Sequence, residues 1–146
     1  MNQIEAVVKE LDKQEIISYI TVDINDTELR IIKSEIPNWI EVGSKVTLNF
    51  KEASVCVSKK CPGTISIENK IKGKVEQIRA NSSLCELTFE SAIGKITALI
   101  TQTALQSLEL EQNDLATMLI RGIDINLEPF IDMQDYKSKL LQKTAN

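Results

Sequence analysis

Apolar and polar residues alternate in short runs along most of the chain, and the runs come in two matching series. The first opens with Ile4-Glu5-Ala6-Val7-Val8, turns at 12–15, continues from Ile16 to Val22, turns at Asn25-Asp26 and enters a β-rich run from Glu28 to Ile32. The second opens with Ile71 to Val75, turns at 79–83, and repeats the order in Leu84 to Phe89, Ile93-Gly94 and Lys95 to Ile100. Period-two alternation of this kind predicts half-buried strands. A segment with apolar residues at helical spacing follows in each series, Ile36 to Val42 and Ala104 to Leu110. Both series close with two apolar runs, Lys45 to Phe50 with Ala53 to Val57, and Leu115 to Ile120 with Ile123 to Leu127. The offset between copies drifts from 67 (Ile4 to Ile71) to 70 (Lys45 to Leu115), as small loop insertions cause.

Five short strands with one helical turn before the fourth is the pattern of a small Greek-key barrel of the oligonucleotide/oligosaccharide-binding (OB) type. The expected fold is therefore mainly β: a first barrel over 1–60, a second over 61–130, and the turn-rich Ser58-Lys59-Lys60-Cys61-Pro62-Gly63-Thr64 between them. Each barrel is small enough to need packing against the other or against another chain. Trp39 is expected to plug the end of the first barrel. After Pro129 the spacing changes to that of a helix, with Met133, Tyr136, Leu140 and Leu141 on one side, which predicts a helical extension over 131–146.

Composition narrows the function. The chain has 146 residues, 42% hydrophobic and 26% charged, and no apolar run long enough to cross a bilayer or to serve as an export signal. Histidine is absent, which removes Ser-His-Asp and Cys-His catalysis and histidine-based metal sites. Aromatics at 4% and a formal charge of −4 leave no stacking platform or basic stripe for nucleic acid. An enzyme is not expected, and neither nucleic-acid binding nor membrane insertion is. Cys56, Cys61 and Cys85, odd in number, fit free structural thiols in a reducing cytoplasm, with Cys61 in its turn the exposed one.

The second copy resembles the molbindins, also called Mop or TOBE domains. Ser66-Ile67-Glu68-Asn69-Lys70-Ile71-Lys72-Gly73-Lys74-Val75 looks like the family's opening Ser-Ala-Arg-Asn motif with its following Gly and β-branched residue. Leu99-Ile100-Thr101-Gln102-Thr103-Ala104 and Leu108-Glu109-Leu110 resemble its Ile-Thr-x-x-Ser…Leu-Gly-Leu segment, and Leu119 to Ile125 its apolar pair, Lys-Ala/Ser and closing strand. In the first copy Asn49-Phe50-Lys51-Glu52-Ala53-Ser54-Val55 is close to the family's Lys-Ala-Ser-Ser-Val ending. The resemblance covers about residues 2 to 130 and is that of a tandem pair, similar to the ligand-sensing half of a ModE-type regulator; with nothing before Ile4 to hold a helix-turn-helix, a complete repressor is not expected.

The resemblance implies a cytoplasmic protein that binds molybdate or tungstate, in storage or sensing, as a homo-oligomer (dimer or trimer) whose sites are completed between subunits or domains. A transporter or regulator protein is a further implied partner, and a regulatory or assembly module with a decayed site is the alternative. A tetrahedral dianion leaving water needs donors to replace its hydration. By family position these are the Ser66 hydroxyl, the amide near Ile67, Asn69, the Thr101 hydroxyl, Arg121 at the family's lysine position, the Gly122 amide and, in the first copy, Lys51. Thr101 also reads as an ordinary helix N-cap, and Arg121 as the partner of Glu68 or Asp124. Two positions depart from the family: Ala104 replaces a hydroxyl, and Glu68 stands where the family has its anion-binding arginine. A carboxylate facing a dianion at ~4 Å and an effective dielectric near 20 costs about 4 kcal/mol per unit-charge pair. Glu68 must then point away, pair with a cation, or mark a site that no longer binds. Lys33, at the Thr position of the first copy, raises the expectation that it and Lys51 form an electropositive pocket there.

Overall fold

In the computed structural model residues 1–130 and 141–142 are described. The expected C-terminal extension lies outside the described residues, apart from Leu141 and Gln142, which are helical. Ten strands and one α-helix make up the rest: β1 (Asn2–Lys13), β2 (Ser18–Ile24), β3 (Thr27–Lys33), β4 (Lys45–Phe50), β5 (Cys56–Ser58), β6 (Asn69–Ala80), β7 (Leu84–Ser91), β8 (Gly94–Thr101), α1 (Gln102–Leu108), β9 (Leu115–Ile120) and β10 (Asn126–Pro129).

The strands form two antiparallel five-stranded sheets, in the orders β10-β4-β1-β2-β3 and β5-β9-β6-β7-β8. Each sheet takes its fifth strand from the other copy. After β4 the chain makes a 3-10 turn at Glu52–Ser54 and leaves its own sheet, so that Cys56 pairs with Leu119 of β9. After β9 the equivalent turn at Gly122–Asp124 sends the chain back, and Asn126 pairs with Asn49 of β4. The expected closing strands at 53–57 and 123–127 are therefore shorter, start later and belong to the opposite sheet. Among the described residues no pairing joins β3 to β10 or β8 to β5, so each sheet is an open half-barrel rather than a closed barrel.

The duplication is exact in register along three strands. Lys9 and Glu76 sit at the same bulge of β1 and β6, where the pairing skips one residue. Each makes an ion pair with its neighbouring hairpin, Lys9 with Glu28 and Glu76 with Lys95 at 3.2 Å, the same bridge with its charges reversed. Alternate residues of the strands face inward, and one buried cluster containing Val8, Ile20, Phe50, Leu87, Phe89 and Met118 runs through both sheets. Full burial of side chains of this size contributes about 1.5–3 kcal/mol each.

Helical spacing in both copies becomes a helix only in the second. There Thr101 caps α1, its hydroxyl accepting from the Ala104 amide at 3.1 Å, and Glu109 ends it in the left-handed conformation (φ 51°). In the first copy Pro37 is the second residue of the segment, and it disfavours helical geometry at Ile36 before it. The eleven residues 34–44 form turns, one of them closed by the Ile40 amide on the Pro37 carbonyl at 3.1 Å. Trp39, in this segment, is 41% exposed and plugs nothing. Cys85 is buried and Cys61 exposed as expected, whereas Cys56 is exposed because it lies on the short edge strand β5.

Candidate functional site

The strand exchange decides which candidate residues meet. Because each 3-10 turn follows a strand of one sheet and precedes a strand of the other, it packs on the far copy: Gly122–Asp124 on β3, and Glu52–Ser54 on β8. Two composite sites result, each built from both copies. Lys33 ends β3 and so stands with the 122–124 turn, where its ammonium donates to Asn126 Oδ1 at 3.3 Å, while Lys51 caps the other turn. Lys33 and Lys51 are thus attached to different turns.

Asn69 begins β6 opposite Ile120 of β9, which brings the Glu68-Asn69 corner to the Arg121-Gly122 corner. The Asn69 side chain is buried and fully engaged: Oδ1 accepts from the Arg30 amide at 2.7 Å, and Nδ2 donates to the carbonyls of Arg30 at 2.9 Å and Ile120 at 3.0 Å. Both amide protons are thus used within the protein, and the residue positions the site instead of donating to a ligand. Asn2 repeats the arrangement 67 positions earlier, clasping the amide and carbonyl of Thr97 on β8 at 2.9 Å each. The outer backbone groups of an edge strand otherwise lack partners, and a side-chain amide offers the required donor and acceptor side by side.

Gly122 is buried against β3. A Cβ there would lie 2.7 Å from the Arg30 carbonyl oxygen and 3.1 Å from Ile32 Cγ1, so only glycine allows the turn to sit this close. Its amide is directed at a carboxylate: Gly122 N donates to Glu68 Oε2 at 3.4 Å. Of the alternatives open for Glu68, the structure shows neither withdrawal from the site nor an ion pair, because Arg121 faces Asp124, with Nε on Oδ2 at 2.8 Å and Nη2 on Oδ1 at 3.2 Å. Ser66 is exposed and Ile67 half-buried on the bend leading into β6. Lys33 is half-buried and has no carboxylate partner among the described residues; desolvation holds its ammonium below the ordinary lysine range.

Thr101 and Lys51 belong to the second composite site. Thr101 ends β8 opposite Leu84, its hydroxyl occupied in capping α1, and Lys51 is exposed at the turn that packs on β8. Next to Lys51, the Glu52 carboxylate pairs with the Met1 ammonium, and this hydrogen bond, with one from its own backbone amide, holds the carboxyl below the usual range. Sequence reasoning did not find Asn2 or Asn126; both stand at strand starts, where an asparagine reads as a turn residue.

Two clefts lie elsewhere. One of about 640 Å³ is lined by Glu5, Asp23, Asp26, Lys45 and Phe130, an acidic surround unsuited to a dianion, and another of about 480 Å³ by Arg79, Asn81, Cys85 and Glu86. Neither contains a candidate residue. Among the described residues no cluster of Cys, Asp and Glu could hold a metal ion, and no helix is long and apolar enough to cross a membrane.

Residues 65–121, from the bend before β6 to the corner after β9, match the family model described as TOBE domain. The chain thus carries a TOBE domain in its second copy. Its fold is shared with a crystal structure of the cytoplasmic molybdate-binding protein ModG with molybdate bound: TM-score 0.82, 19% identity, 88% of this chain and 96% of that one covered. No curated protein sequence gives a significant match.

Proposed function

We propose that this protein binds a tetrahedral oxyanion, molybdate or tungstate, as a cytoplasmic storage or sensing protein in molybdenum homeostasis. The observation that carries the reading is the Gly122 amide, fixed by the close approach of β3 and already holding an anionic oxygen, that of Glu68. Ser66, the amide at Ile67, Arg121 and Lys33 are the further donors proposed for the anion. Arg121 holds Asp124 at two points, so contact with an anion requires the guanidinium to share or leave that carboxylate. The match of fold to a molybdate-binding protein supports the choice of anion. Thr101 and Lys51 belong to the second composite site, and the homo-oligomer, dimer or trimer, that the resemblance implies is retained as part of this proposal. Nothing in the site calls for catalysis, and no enzyme activity is proposed.

Calorimetry with molybdate, tungstate and sulfate at physiological salt tests the reading. Micromolar binding of the first two and none of sulfate is expected. Silence toward all three rejects it in favour of the second reading, which the Glu68 contact also favours: a TOBE module with a decayed site that acts through a transporter or transcription partner.

A further inference from the structure

The Glu68 carboxylate is placed like a ligand. It lies outside the strands, on the bend before Asn69, and reaches the one buried turn amide of its composite site. Among the described residues no cation holds it there. Arg121 is turned to Asp124, and Lys33 donates to the neutral Asn126. What retains the carboxylate is a single hydrogen bond of 3.4 Å, long for an N–H···O contact and correspondingly weak. The donor lies close against β3, where a Cβ on Gly122 would meet the Arg30 carbonyl oxygen at 2.7 Å. The composite site thus combines a closely packed turn amide, a weakly held internal anion and, at the end of β3, a half-buried ammonium with no acidic partner among the described residues.

We propose that Glu68 is a tethered occupant of the Gly122 position, and that an oxyanion binds there by displacing it. This rests on the oxyanion-binding reading above and concerns how that site is regulated. The exchange sets a charge threshold. A monoanion replaces one unit of negative charge with another and gains nothing at Lys33, whereas a dianion brings a second charge that Lys33 and Arg121 attract. The tether also keeps the amide satisfied in the unliganded protein, where a bare buried donor would cost stability.

Three variants of the full chain separate occupancy from charge. Glu68→Ala removes the occupant. Glu68→Asp keeps the charge but shortens the reach by about 1.5 Å. Glu68→Gln keeps the reach without the charge. Titrated calorimetrically with molybdate, Glu68→Ala is expected to bind about tenfold tighter than the parent or more. Glu68→Asp should also be tighter, and Glu68→Gln intermediate. In ligand-free protein, the Gly122 amide resonance should move in Glu68→Ala and Glu68→Asp. A parent that binds molybdate no more weakly than any variant overturns the tether and leaves oxyanion binding standing. So does Glu68→Asp behaving as the parent, which reduces Glu68 to a nearby charge. A Gly122 resonance unmoved in Glu68→Ala overturns the contact itself, whatever binds. Absence of molybdate binding in all four proteins removes both the tether and the reading on which it rests.

Discussion

Asn69 holds Arg30 by both the amide and the carbonyl of its backbone, joining the start of β6 in one sheet to the edge strand β3 of the other. With the bond to the Ile120 carbonyl, one side chain ties together three strands and sets the distance between the Glu68 corner and the Gly122 turn. Asn69→Ala leaves these backbone groups without partners in a site too close-packed for easy repair. An unsatisfied buried group costs about 1–3 kcal/mol, so a loss of about 2–3 kcal/mol in urea unfolding is expected. Asn2→Ala, which breaks two such bonds instead of three, should cost less.

Gly122→Ala sets a methyl group 2.7 Å from the Arg30 carbonyl oxygen. Overpacking against backbone costs about 1–3 kcal/mol, and a lowered thermal midpoint is expected. Gly63→Ala, at a position with nothing within 4 Å, should leave the midpoint unchanged and serves as the control.

Glu52 makes the first copy sensitive to acid. Its carboxyl is held below its unfolded value by the Met1 ammonium, so the pair stabilises the protein above the unfolded value and is lost as pH falls through the folded one. Glu52→Gln should lower stability near neutral pH and flatten its decline toward acid. Urea midpoints measured across the acidic range check both slopes.

Lys33 acts in the opposite sense. Desolvation lowers its folded value, so the charged ammonium costs stability while both states are protonated, and the cost fades as pH rises through the folded value toward the unfolded one. Lys33→Met should raise the thermal midpoint of the ligand-free protein near neutral pH, with the difference shrinking in alkali. It should also weaken molybdate binding, a combination expected of a cation kept for a ligand and not for the fold.

Most of the strand content was legible because alternation is a local property: Ile20, Val22 and Leu87 declare an inward face whatever lies opposite them. The duplication was legible for the same reason, down to the change of offset, which the structure places between β3 and β4, where the second copy has the longer connection and α1. The exchange of β5 and β10 was not. Strands of three and four residues carry no mark of the sheet they join, and a turn such as Lys51-Glu52-Ala53-Ser54 reads as a strand start when its partner is unknown. The apolar spacing of Ile36 to Val42 read as a helix without regard to Pro37. At the site, family position named Glu68, Arg121 and Gly122, but which groups they face depends on the far copy: Arg121 turns to Asp124 and Glu68 to Gly122.

Tungsten scatters X-rays anomalously enough to be located without ambiguity, so a crystal of this protein grown with tungstate addresses the account at its centre. The account predicts an anomalous peak within hydrogen-bonding distance of the Gly122 amide, with the Glu68 carboxylate swung away and Lys33 or Arg121 turned toward the anion. A peak at any other place, or none beside Gly122 with Glu68 still on its amide, contradicts it.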